Sequence, residues 1–256
     1  MTNKNCELLH EKLTQDLSYL KLPKIREVYQ DTIDMATKKD FSMLQLVSTL
    51  FGEETAARKQ RAILARLKRA KLPQAKTLDS FDFSFPSRIP KQKILRLFDC
   101  DFVSGNHNAV FFGPSGTGKT HLMSALGYTA IQKGISVRFA RVVDMINDLS
   151  SAQANGTLAR AIRSYIKPSI LLCDELGYLP VDKQGADLFF QVVSARYEQG
   201  SIIITTNRPF KDWGTLFNAD NTVATAMIDR LMHHGEVFVF RGKSYRMKDK
   251  NPENHS

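Results

Sequence analysis

Residues 113–120 read GPSGTGKT, with a lysine and a threonine directly behind closely spaced glycines. Gly113, Gly116 and Gly118 let successive backbone N–H groups curl around phosphate oxygens, and a helix beginning behind them turns its positive end toward the anion. In this pattern Lys119 reaches the β- and γ-phosphates of a nucleoside triphosphate such as ATP, and Thr120 ligates Mg2+ through its hydroxyl. Pro114, Ser115 and Thr117 complete the loop. His121 follows it and is grouped with it by position, although helix packing is its simpler role. Residues 170–175, ILLCDE, are apolar up to a carboxylate pair. At the end of a buried strand, Asp174 would hold the magnesium through water and Glu175 would orient or deprotonate an attacking water. A carboxylate pair at a helix start is the plainer alternative, and Cys173 packs rather than reacts.

Three further residues complete the candidate chemistry. SIIITTN at 201–207 ends on Asn207, placed to position the lytic water or sense the γ-phosphate, although TNRP is also ordinary turn chemistry. Arg230 in MIDRL and Arg246 in GKSYRM are each suited to neutralise charge on a transferring phosphoryl group. An arginine taken alone is more often simply solvated.

These residues need a scaffold, and the hydrophobic pattern supplies one. From Lys91 onward, short apolar strands alternate with helical patterns: strands near 109–112, 135–140, 169–173, 201–205 and 237–240, helices near 120–133, 142–154, 158–166, 183–199 and 221–233. Repeated β-α alternation with nearly all-apolar strands predicts an α/β fold with a mostly parallel sheet covered by helices. Ahead of it, residues 5–72 show helical periodicity and no convincing strand. Leu9, Leu13, Leu17 and Leu20 mark a first helix, Pro23 interrupts, and a second spans about 25–37. A third carries Phe41, Leu44, Val47, Leu50 and Phe51 and ends at Gly52; a fourth, basic and amphipathic, spans about 53–70. Phe81, Phe83 and Phe85 alternate between these regions and predict an extended connector with one face packed on the second domain. The expected organisation is therefore a helical module at 1–75, a connector at 76–90, an ATPase domain at 91–250 and a frayed tail at 251–256.

Composition narrows the partners. The formal net charge is +10, concentrated in Arg58, Lys59, Arg61, Arg66, Lys68, Arg69, Lys71 and Lys76, with no acidic residue among them, and again in Arg241, Lys243, Arg246, Lys248 and Lys250. The first cluster, from Arg58 to Lys71 above all, is the candidate footprint for a phosphate backbone; a protein interface or an ordinary surface is the alternative. No run of apolar residues is long enough to span a bilayer, and the first residues lack a secretory signal pattern, so no membrane partner is expected. Three cysteines with neither disulfide nor metal spacing suit the cytoplasm. His233 and His234 lack a cysteine or a partner histidine at metal spacing.

Taken in order, these segments resemble the IstB family of insertion-sequence helper ATPases, relatives of DnaC helicase loaders and DnaA-like initiators in the AAA+ class of P-loop NTPases. The resemblance rests on the Leu20–Pro23 LxLP, on AARKQRAILARLKRAKLPQAKTLDSFDFSF at 56–85, and on GPSGTGKTHL, LLCDELGYLP, ARYEQGSIIITTNRPF and MIDRLMHHGEVFVFRGKSYR. It implies that Asn207 is the sensor-1 residue. It also implies that Arg230 is an arginine finger acting on the neighbouring subunit's ATP, and that Arg246 is the sensor-2 arginine. Arg196 is a further candidate for a subunit boundary. The resemblance also implies a homo-oligomer on double-stranded DNA that deforms it and recruits or stimulates a DDE transposase, with hydrolysis resetting the assembly. In the cell such a protein is cytoplasmic, and on the nucleoid when bound to DNA. A DnaC-like replicative helicase loader is the alternative. A small-metabolite kinase would need an acceptor lid, and a non-enzymatic DNA-binding module would lack Lys119 or Glu175. No nuclease carboxylate triad is evident.

Overall fold

The computed structural model describes residues 3–74, 76–85 and 89–245. The chain divides into two compact units, Met1–Ala65 and Arg66–Ser256.

The first unit is helical. Helices α1 (Asn3–Tyr19) and α2 (Pro23–Lys38) pack through Leu17, Ile25 and Tyr29. Pro23 begins α2, where its missing N–H removes no helical bond. The N-cap residue Leu22 has no side chain able to receive the free N–H groups of that first turn. The carboxylate of Glu54 takes them instead, accepting from Lys24 N at 2.7 Å and Ile25 N at 3.3 Å. Helix α3 (Met43–Ala70) begins in this unit and continues into the second. It corrects the expected break at Gly52, because the third and fourth helices are one. A glycine inside a helix costs only about 1 kcal/mol, and 28 residues of continuous hydrogen bonding absorb that cost.

In the second unit a five-stranded parallel sheet has the order β2-β3-β4-β1-β5. Helix α4 (Lys91–Leu97) precedes β1 (Asn108–Phe112), followed by α5 (Lys119–Gln132), β2 (Val137–Arg141), α6 (Val142–Ala154), α7 (Leu158–Ile166) and β3 (Ile170–Leu176). Then come α8 (Lys183–Arg196), β4 (Ser201–Thr206), a single-turn α9 (Trp213–Leu216), α10 (Asn221–Met232) and β5 (Gly235–Val239). The apolar residues of α6, α8 and α10, with Trp213 and Phe217, bury one face. Leu122, Met123 and Leu126 of α5 are fully buried against β2, β3 and β4. The strands are apolar on both sides because both faces are covered.

The connector departs from its expected form. Residues 81–85 run through a turn rather than a strand. The turn brings Phe81 and Phe83 edge to face at 4.8 Å. Residues 86–88, Arg246 and the expected tail at 251–256 lie outside the described residues.

Candidate nucleotide-binding site

In a parallel sheet the carboxyl ends of the strands carry the ligand-binding loops, at the point where strand order reverses. Here β1 lies between β4 and β5, and the 113–120 loop leaves its end. Gly118 has φ +88, and a Cβ there would fall 2.5 Å from the Phe81 ring. At Gly116, φ is +78 and a Cβ would meet Ser244 Oγ at 2.0 Å. Only glycine fits either place. Lys119 and Thr120 open α5, so the helix N-terminus faces the loop. The Lys119 ammonium donates to the carbonyls of Gly113 and Pro114 at 2.7 Å each, holding it across the loop mouth.

The residues from β3 are set by a local irregularity. Pairing of β3 with β4 is regular up to Cys173–Ile204, breaks, and resumes at Leu176–Thr206. Within this bulge Glu175 takes φ +62, a left-handed conformation that costs about 1–2 kcal/mol. The bulge leaves Asp174 buried and turns Glu175 outward. Asp174 is 3% exposed and accepts from the Thr120 hydroxyl at 2.9 Å. The Thr205 hydroxyl also donates to Asp174 while accepting from Glu175 N at 2.9 Å. A single threonine thus orients both acidic residues. Sequence reasoning missed it, the only signal being the polar pair that ends an apolar strand. Thr206 pins the same edge, donating to Leu176 O at 2.8 Å and accepting from Arg208 N at 3.0 Å.

A cavity of about 650 Å³ joins these groups, lined by the 115–121 loop and helix start, Glu175, Thr205 and Asn207, with Phe81, Phe85 and Tyr245 on its walls. That volume holds a nucleotide. Thr120 and Asp174 form an all-oxygen pair with one anionic member, the donor chemistry that suits magnesium. His121 lines the same cavity but packs edge-on to Phe81 at 5.3 Å and lies 3.3 Å from Thr77 O. Burial shifts its imidazole below the usual value, favouring the neutral ring. Tyr245 N donates to Gly116 O at 2.9 Å, tying the segment after β5 to the phosphate loop. The Tyr245 ring stays half-exposed against Phe85.

The arginines divide. Arg230 is not among the residues lining this cavity; it lies 5.0 Å over the Phe190 ring and donates to Ala226 O at 2.9 Å. Arg196, considered for a subunit boundary, is instead 1% exposed. Its guanidinium donates to the carbonyls of Tyr165, Ile166, Pro168, Ser169 and Ser201, joining the approach to β3 with the start of β4. Burial lowers its pKa to about 10, still charged at neutral pH. Cys173, fully buried, has its thiol pushed up to about 12, so it packs and does not react.

The basic cluster is also sorted. Arg58, Lys59, Arg61, Lys68, Arg69 and Lys71 are exposed and Arg66 is half-buried. Lys59 and Arg61 are two residues apart on a helix and so on different faces. Arg61 binds Glu54 at 2.8 Å, and Arg58 lies 3.8 Å from the same carboxylate and donates to Lys21 O at 3.0 Å. These two arginines therefore have a folding role around the start of α2.

No helix among the described residues is long and apolar enough to cross a membrane. In the structural comparisons, the DnaC helicase loader superposes with a TM-score of 0.54 at 20% identity, over 67% of this chain and 100% of that one. AMPPCP-bound DnaA from Aquifex aeolicus gives 0.57 at 22%, over 72% and 56%. These likenesses establish an AAA+ P-loop fold. In sequence, the chain is 38% identical over 240 residues to the putative ATP-binding protein of insertion sequence IS232 from Bacillus thuringiensis subsp. berliner, covering 94% of this chain and 96% of that one. It is also 38% identical over 234 residues to the IS21 putative ATP-binding protein of Pseudomonas aeruginosa, covering 91% and 88%. The family model described as IstB-like ATP binding protein matches residues 15–253, and the chain belongs to that family of insertion-sequence ATP-binding proteins.

Proposed function

We propose that this protein hydrolyses ATP and uses the cycle to assemble on, and leave, double-stranded DNA as a helper of transposition. The observation that carries the hydrolytic part is the Thr120–Asp174–Thr205 chain of hydroxyls and carboxylate, with Glu175 turned out beside it into the cavity of the phosphate loop. The loop N–H groups bind the triphosphate, and Lys119 exchanges its contacts with the Gly113 and Pro114 carbonyls for the β- and γ-oxygens. Thr120 and Asp174 would hold magnesium, which when bound neutralises phosphate charge. Glu175 takes the proton of the attacking water, and Asn207 orients that water or the γ-phosphate. Arg230, away from its own chain's cavity, acts on the ATP of a neighbouring subunit. Arg246 contacts the γ-phosphate within its own.

The DNA part is supported by charge and kinship. Among the described residues, Lys59, Arg66, Lys68, Arg69 and Lys71 make no ion pair, and they sit on α3 or directly after it, which suits phosphate contacts. The insertion-sequence relatives favour transposition over helicase loading. In this reading a cognate transposase is the partner, recruited to deformed DNA. Electron microscopy of the protein with long duplex, with single strands and without DNA, each with and without ATP, tests this. Regular ATP-dependent assemblies on duplex are expected; particles that form only on single strands would move the function to helicase loading.

A further inference from the structure

At the opposite end of the sheet, three loops converge at the amino ends of β1, β4 and β5. The loop after α8 carries Glu198, the end of α10 carries His233 and His234, and the turn before β1 carries Asn106 and His107. His233 Nδ1 lies 3.8 Å from Glu198 Oε1, and His234 Nε2 lies 3.6 Å from the same oxygen. One ligand atom from each of the three residues falls within 4.8 Å of the others.

The backbones beneath these side chains are fixed. Glu198 has φ +58, and its carbonyl accepts from the Asn106 side chain at 2.8 Å. The carbonyl of His234 accepts from Asn108 N at 2.8 Å, extending the sheet, and His233 N closes on Asp229 O at 2.9 Å. The His234 ring stacks on His107 at 5.7 Å and 21°. The side chains themselves remain about half-exposed and able to turn.

The geometry points to a binding site for a first-row transition-metal ion, zinc in particular, held by Glu198, His233 and His234. Ligands at about 2.1 Å around a tetrahedral zinc are about 3.4 Å apart, so small side-chain rotations close the observed spacing. Two imidazoles with one carboxylate favour zinc, cobalt or nickel over magnesium or calcium, which prefer all-oxygen shells. The fourth position falls to water. Binding at His233 Nδ1 replaces the hydrogen bond now made with the Tyr197 hydroxyl at 2.9 Å. This site lies a strand's length, about 16 Å, from the phosphate loop, and its ion is distinct from the magnesium of ATP chemistry. It clips the end of α8 to the end of α10, three residues beyond Arg230.

The test is calorimetric titration of the metal-stripped, nucleotide-free full chain with Zn2+, with Co2+ absorption as a probe of coordination. One ion per chain is expected, with a visible Co2+ band typical of a nitrogen- and oxygen-bound tetrahedral site. Glu198→Gln and His234→Ala should each weaken Zn2+ binding ten-fold or more, with melting of the metal-free protein nearly unchanged because these are exposed side chains. His10→Ala, in the other unit, should bind as the parent does. Absence of uptake tighter than about 100 µM, or uptake equal in parent and both site variants, would overturn the assignment.

Discussion

At the scale of single residues, the strand edge proposed to carry hydrolysis depends on side chains that do no chemistry themselves. Asp174 and Glu175 take their places through Thr205, and the strands on which they sit are joined by Arg196, whose five carbonyl partners no other residue type can satisfy from one position. Removing that guanidinium strands buried acceptors, each costing about 1–3 kcal/mol. Arg196→Ala is therefore expected to destabilise the protein by at least about 3 kcal/mol in chemical denaturation. Arg196→Lys should recover only part, since an ammonium cannot span the same fork of acceptors. The motif residues were legible in sequence because phosphate binding demands glycine, lysine and hydroxyl at fixed spacing. Arg196 and Thr205 were not, because nothing in a local pattern distinguishes a buried guanidinium from a surface one, or a threonine that bonds across strands from one that ends a strand.

At the scale of elements, β-α alternation was readable because parallel strands covered on both faces become nearly uniform apolar runs, as in ILLCD and SIIIT. Helices α6 and α7 have the very bounds their periodicity predicts. The connector and α3 were misread for related reasons. Alternating phenylalanines satisfy a tight turn over the phosphate loop as well as a strand, and a lone glycine does not stop a long helix. Gly52 is exposed, and a Cβ there would meet nothing within 4 Å. Gly52→Ala should stabilise the helical unit by about 0.8–1 kcal/mol, seen as a higher denaturation midpoint. No change or a loss would argue against a continuous α3.

The start of α2 makes a second element-scale prediction. Burial alone would raise the Glu54 pKa, but hydrogen bonds from Lys24 and Ile25 and the charge of Arg61 outweigh it and hold the carboxyl below its usual value. A lowered folded pKa contributes stability that is complete above the ordinary carboxylate value and is lost as pH falls through the lowered one. Glu54→Gln should therefore melt below the parent at pH 7, and the two curves should converge as pH falls below about 4.5. A difference in melting temperature that stays constant across that range would contradict the capping role.

At the scale of the whole molecule, the chain combines a helical unit with an AAA+ fold, and its net charge of +10 makes the proposed binding to DNA testable through its salt dependence. Each phosphate contact made by the basic set on α3 should add about 0.9 to the slope of log affinity against log salt. Replacing Lys59, Lys68 and Lys71 together by glutamine should flatten that slope and weaken duplex binding with little dependence on sequence, as measured by fluorescence anisotropy across a salt series. An unchanged slope would place the DNA contacts elsewhere. The most direct test of the central claim is phosphate release by the parent and by Glu175→Gln on duplex DNA, alongside ATP affinity. Turnover by the parent is expected, with release at least about 100-fold slower in Glu175→Gln while ATP affinity stays within a few-fold. Equal turnover in both proteins, or a variant that no longer binds ATP, would contradict Glu175 as the residue that activates water.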